Sequence, residues 1–193
     1  GLFVDLSCPS CRTEFNSWID DARASGGRYQ LSVYHYAREG QCVPANFPAI
    51  SPDSLYNHSC DAALAVECAA KLVSEREPDL DKREAIASIT AFNMMRLLFA
   101  YQSDGAPYFT QKRLATAASQ LGVDADPARE RSSDPFFSCL DDPTMRTRIV
   151  EHARFGMSQN LMETPGAFFR FYDGHVPSDQ MLLFRGAKVY GDV

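Results

Sequence analysis

The chain has 193 residues, 19 Lys plus Arg against 25 Asp plus Glu, a formal charge of −6 and 45% apolar residues. That length holds one large domain or two small ones and can bury a real core, and the composition is neither that of a disordered acidic tail nor that of a fibrous repeat. The acidic balance, with no Lys/Arg stripe, argues against nucleic acid as a partner, because nothing supplies the counterion-release term.

Leu2-Phe3-Val4-Asp5-Leu6 reads as a strand, and Cys8-Pro9-Ser10-Cys11 follows it. Over Cys11 to Ala24 the apolar residues Phe15, Trp18, Ile19 and Ala22 fall on one helical face, and Gly26-Gly27 ends the element. Residues 29–36 alternate as a second strand, so the opening is β-α-β. Residues 38–58, rich in Pro, Ser, Asn and Gly, read as a long loop that carries Cys42.

Four helices follow. The first spans Asp61 to Glu77 and is stopped by Pro78; the second is capped by Asp81 and runs to Tyr101; the third spans Phe109 to Leu121 and ends at Gly122. The fourth starts at Asp142-Pro143, a cap and a first-turn proline, and runs to Asn160, after a turn-rich passage containing Cys139. Met94-Met95 within an apolar stripe is expected in the core rather than on a soft binding surface. After Glu163-Thr164-Pro165-Gly166 the pattern returns to strands, one over 167–172, the turn Asp173-Gly174, one through Met181 to Phe184, and a further short candidate over 187–190.

Of the six cysteines, only Cys8 and Cys11 form a close C-x-x-C pair. A thiol where Cys8 stands, at a helix N-terminus, faces unpaired backbone N–H groups and the positive end of the helix dipole, and both favour the thiolate. Cys8 is therefore the expected nucleophile and Cys11, one turn further in, the resolving thiol; Arg12 is expected to add positive potential. The competing readings are half of a zinc site, for which a second pair at matching spacing is missing, and a structural disulfide on a turn. The four histidines, His35, His58, His152 and His175, offer no ligand spacing, and no phosphate loop or nucleophile elbow is present, so no metal or cofactor is expected and the chemistry is that of sulfur.

In this order and separation the motifs resemble those of the DsbA-like branch of the thioredoxin superfamily, bacterial thiol:disulfide oxidoreductases with a helical domain inserted into a thioredoxin fold. Phe3 to Cys11 resembles the family's strand, acidic residue and C-P-x-C stretch. Ala65-Val66-Glu67-Cys68-Ala69 resembles its first inserted helix, Ser138-Cys139-Leu140-Asp141 its C-L-D turn, and Thr164-Pro165 its cis-proline loop. The resemblance implies an α/β thioredoxin fold over residues 1–54 and 161–193, with a mostly helical insertion over 55–160. It implies a cis bond before Pro165, with Thr164, Pro165, Pro9 and Ser10 contacting an extended substrate, although Thr164-Pro165 also reads as a plain helix terminator. Asp5 matches an acidic position that implies a proton relay to Cys11; as a strand residue it reads equally well as an exposed side chain.

Among the other four cysteines, Cys60 and Cys68 on one helix stand about 12 Å apart, beyond disulfide reach. The resemblance favours Cys68 with Cys139, which leaves Cys42 with Cys60, a closed loop worth about 3 kcal/mol in the chain-entropy model. Structural disulfides beside a redox pair imply an oxidising compartment, a bacterial periplasm or exterior.

The expected function is thiol:disulfide exchange with cysteine-containing proteins, served by a redox partner that reoxidises or reduces the pair. The lack of an added dimerisation domain favours a monomeric dithiol oxidase, while Thr164 before the proline leans toward an isomerase or reductase. The sequence departs from the family in having no helix after the last strand, and both ends read as those of a fragment or a trimmed mature form whose signal peptide or anchor lies outside it. That motivates an alternative from another class, a thioredoxin-fold binding or assembly subunit of a larger complex with Cys8 and Cys11 as a structural disulfide. No stretch approaches the roughly 20 apolar residues that span a bilayer.

Overall fold

The computed structural model describes residues 1–26, 30–39, 41–44, 58–102, 109–161, 163–173 and 176–185, the last two strands by their backbone beyond residue 168. In chain order these form β1 (Leu2–Val4), α1 (Pro9–Ala24), β2 (Val33–His35), α2 (Ser59–Ser74), α3 (Leu80–Tyr101), α4 (Gln111–Gln120), a 3-10 turn (Arg131–Ser133), α5 (Pro135–Leu140), α6 (Pro143–Ser158), β3 (Gly166–Asp173) and β4 (Val176–Arg185). The architecture is mixed α/β, mostly helical with a small sheet. Among the described residues no helix is long and apolar enough to cross a membrane.

The sheet order is β2-β1-β3-β4. β1 and β2 are parallel, with Phe3 opposite Tyr34, and a parallel pair needs a crossover, which α1 supplies. β3 is antiparallel to both β1 and β4, with a bulge between Arg170 and Tyr172. Alternation along β1 sends Leu2 and Val4 into the main buried cluster and Phe3 into a second one with Tyr36, Ala153, Leu161 and Phe168. The strand is therefore covered on both faces. Gly156 lets α6 lie on that second cluster, since a Cβ there would stand 2.8 Å from the Tyr36 ring and 3.0 Å from Phe3.

The main cluster runs without a break from Leu2, Val4 and Phe15 through α2 to Ile149. α2 is its axis, packing against α3, α4, α5 and α6. Met94 and Met95 are core, as expected from their stripe, whereas Ile89 on the same helix is 61% exposed. Two disulfides tie the helices down, Cys42–Cys60 with Cα atoms 5.5 Å apart and Cys68–Cys139 at 5.8 Å.

Several boundaries differ from the sequence reading, each for a local reason. β2 covers only Val33–His35 within the expected 29–36, and Tyr29 lies outside the described residues. α2 begins at Ser59, so Cys60 is already helical. The cap of α3 is Asp79 rather than Asp81: its side chain accepts the Asp81 N–H at 3.0 Å, directly after Pro78. Cys139 sits on a helix, α5, rather than in a turn. The buried Asp134 caps it by accepting the N–H groups of Phe136 (2.9 Å) and Phe137 (3.2 Å), with Pro135 in the first turn. That is the same Asp-Pro signal that marks α6, on a helix too short for periodicity to register. The expected turn at Gly174 and the candidate strand over 187–190 lie outside the described residues.

Candidate functional site

The turn between β1 and α1 is closed by the Cys8 N–H donating to the Asp5 carbonyl at 3.0 Å, and it delivers Cys8 to the N-cap of α1 with extended backbone (φ −82°, ψ 119°). Pro9 follows in the first turn, where its missing N–H costs nothing. The Cys8 sulfur stands over the first turn of α1, where the Cys11 N–H acts on it. Across from it, the Thr164–Pro165 peptide bond is cis, and the Cys8 thiol donates to the Thr164 carbonyl over 3.7 Å. Two segments 156 residues apart thus meet at one sulfur.

Cys8 and Cys11 are both free thiols. The Cys11 thiol is the largest influence on Cys8 and favours its thiolate; burial opposes this, the Cys11 backbone N–H and the Thr164 hydroxyl reinforce it, and Cys8 falls to about 6. The main lever is thus Cys11, not Arg12. Cys11 is driven the other way. Burial, then the neighbouring Cys8 and the Asp5 charge, push it well above the ordinary thiol range. The pair is split into a ready anion and a reluctant one.

Asp5 is fully buried, not an exposed strand residue. Its carboxylate accepts the Ser7 N–H (2.8 Å) and hydroxyl and the Arg38 N–H (3.0 Å), with the Ser59 hydroxyl alongside, while its own N–H donates to the Cys11 sulfur at 3.4 Å. Burial outweighs these neutral donors and raises its pKa. A buried carboxyl next to the inner sulfur is equipped to hold a proton. Pro9 and Ser10 are exposed at the rim, whereas Cys8 itself is only 3% exposed.

Two features of the site have no local signal in the sequence. Gln102, at the C-terminal end of α3, directs its amide to the Leu6 and Cys8 carbonyls. A second polar cluster joins His35 on β2, Glu67 on α2, and Arg148 and His152 on α6. His35 Nε2 lies 3.3 Å from Glu67, Arg148 Nε 3.0 Å from its other oxygen, the His35 N–H donates to His152 Nδ1 at 3.3 Å, and the two imidazoles stack. Burial pushes Glu67 up, but His35 and Arg148 prevail and hold it at about 2; burial, then His35, lowers His152 to about 4. A Glu on the buried side of an apolar helix was the one hint available. Among the described residues no group of three or more His, Cys, Asp or Glu is arranged to hold a metal. His58 occupies the N-cap position of α2 without a side-chain cap bond, 3.6 Å from Asp61, and His175 lies outside the described residues.

Comparisons with protein-family models, with curated proteins and with solved structures return no match to this chain.

Proposed function

We propose that the protein is a thiol:disulfide oxidoreductase of thioredoxin-like fold with a helical insertion, acting on cysteines of other proteins as a dithiol oxidase. The observation that carries the reading is the meeting of Cys8, at the N-cap of α1, with the carbonyl of Thr164 in a cis-proline loop, while Cys11 lies behind it against Asp5. Strand order β2-β1-β3-β4 with β1 and β2 parallel supports the fold assignment.

In the proposed reaction a client thiolate attacks the Cys8 sulfur of the Cys8–Cys11 disulfide, forming a mixed disulfide and expelling Cys11. Cys11, with its raised pKa, takes a proton, for which Asp5 is the nearest buried carrier. A second client thiolate then attacks its own bridged sulfur, closing the client disulfide and releasing Cys8 as thiolate. The client loses two electrons, the pair gains them, and a redox partner removes them again. A Cys8 thiolate stabilised to about 6 stabilises the reduced protein at neutral pH, which favours donating the disulfide over accepting one. Thr164 offers its backbone carbonyl to an extended client segment. The Cys42–Cys60 and Cys68–Cys139 disulfides support an oxidising compartment, a bacterial periplasm or other extracytoplasmic space.

One observation favours a second reading. With Cys8 only 3% exposed, exchange requires the rim around Pro9 and Ser10 to yield to a client, and a pair that never opens belongs to a non-catalytic binding subunit of a larger complex. The reduction potential decides between them. A value near about −120 mV is expected for the oxidase, near or below about −200 mV for an isomerase or reductase, and below about −300 mV for a structural disulfide, which would end the enzyme reading. In parallel, Cys11→Ala should trap mixed disulfides with client proteins and Cys8→Ser should not.

A further inference from the structure

The turn that presents Cys8 has two carbonyls that, among the described residues, no backbone ladder fully satisfies. Leu6 is 1% exposed and sits inside the turn closed by the Cys8 N–H and the Asp5 carbonyl. The Cys8 carbonyl receives only a long helical bond, 3.4 Å, from the Arg12 N–H. Buried carbonyls require donors. Both are met by one side chain from the far end of the helical segment: the Gln102 Nε2 donates to the Leu6 carbonyl and, at 3.2 Å, to the Cys8 carbonyl.

The direction of the amide is set by this contact. Rotating it by half a turn would oppose its oxygen to two carbonyl oxygens, so the nitrogen must face the turn. The consequence is that Gln102 Oε1 is buried with no partner among the described residues, on a residue that is 8% exposed. An acceptor is left unsatisfied so that both donors can reach residues 94 and 96 positions earlier in the chain.

We propose that Gln102 is a positioning residue, through which the end of α3 holds the Leu6–Cys8 turn and so sets the Cys8 sulfur at the helix N-terminus for disulfide exchange. Two effects follow from the geometry. The amide neutralises the negative ends of two carbonyl dipoles close to the sulfur, and it keeps Cys8 in its N-cap conformation, where the Cys11 N–H and thiol act on it. Gln102 touches no reacting atom; it acts through the turn. The inference rests on the exchange reading for what the sulfur does, but its readout is the ionisation of that sulfur.

The test is the pH profile of Cys8 alkylation by iodoacetamide in the reduced full chain, for the parent, for Gln102→Met, which keeps length but removes both donors, and for Gln102→Glu, which keeps shape and adds an anion. The parent inflection is expected near about 6. In Gln102→Met it should rise by about one pH unit, which means roughly fivefold less thiolate at the parent's midpoint, and in Gln102→Glu by more. An unmoved inflection in folded variants, even with lowered melting temperatures, overturns the proposal and leaves the exchange reading standing. A parent inflection near an ordinary thiol's, about 8.5, overturns both. A shifted inflection together with a Cys11→Ala protein that traps no client sustains the proposal and defeats the exchange reading. If neither variant folds, the parent labelled with ¹⁵N-glutamine decides: the Gln102 side-chain amide protons should be protected from solvent exchange and should move with the Cys8 titration, and solvent-like exchange overturns the role.

Discussion

Asp5 and Glu67 are both buried carboxylates, both next to the β1–β2 pair, and their surroundings drive them in opposite directions. Among the described residues Asp5 meets neutral donors, the N–H and hydroxyl of Ser7 and the N–H of Arg38, with the Ser59 hydroxyl alongside, and burial wins, so its pKa is raised. Glu67 lies between the His35 imidazole and the Arg148 guanidinium, and they overcome burial to hold it at about 2. Burial alone does not decide whether a carboxylate keeps its charge; the charge on its partners does. The difference fits two tasks. A carboxyl that binds a proton readily sits by the sulfurs, while one that stays ionised ties β2 and α6 to α2.

The most severe way to break the comparison is to take the charge from the second site. Glu67→Gln is expected to cost about 3 kcal/mol at pH 7, because His35 on β2 is left buried without its anion and Arg148 on α6 loses the carboxylate it pairs with. Urea melts measure it, and a loss below about 0.5 kcal/mol would mean that the cluster is a surface-like pair of little worth.

Acid should expose the same cluster. His152 takes up its proton near 4 in the folded chain, against 6.5 for an ordinary histidine, so between those values the unfolded state binds more protons and stability falls as pH drops. Glu67, at about 2 folded against 4.5 ordinarily, continues the loss below pH 4.5. The combined decline from pH 7 to 5 should be about 2 kcal/mol, with the limb between 6.5 and 4 flattened in His152→Gln. A parent curve that is flat over that limb would remove His152 from the account.

The smallest effect is expected at the thiol site. Asp5→Asn should change stability at pH 7 by no more than about 1 kcal/mol, since it removes a buried charge but turns one acceptor toward the Arg38 N–H into a donor. The sign is the sharper criterion. A folded pKa raised above 3.8 means that the parent loses stability as pH rises through it, and the variant does not, so the difference should move in favour of Asn from pH 4 upward. A difference moving the other way would place Asp5 with Glu67.

Much of the thiol site was legible because its signals are local. A C-P-S-C stretch after a short strand and before an i, i+3, i+4, i+7 stripe puts one cysteine at a helix cap, and the structure has Cys8 there. Asp142-Pro143 and Gly122 mark ends of helices for the same kind of reason, the latter with φ of 81°. The cis bond before Pro165 and the two disulfides were implied by resemblance and are present, but no spacing rule yields them. α5 escaped because six residues are too few for a periodicity, although its Asp134-Pro135 start was in plain sight.

What the sequence determined by itself, then, is the order of the strands and of the longer helices and which sulfur stands at a helix N-terminus, since caps, turns and apolar periods act over a few residues. Only the tertiary structure decided that the Thr164 carbonyl faces Cys8, that Gln102 holds the turn, that Asp5 is buried rather than exposed, and that His35, Glu67 and His152 share one cluster. Those are contacts between segments separated by tens of residues or more, and their electrostatic sense depends on which groups packing brings together. Such groups leave no pattern along the chain.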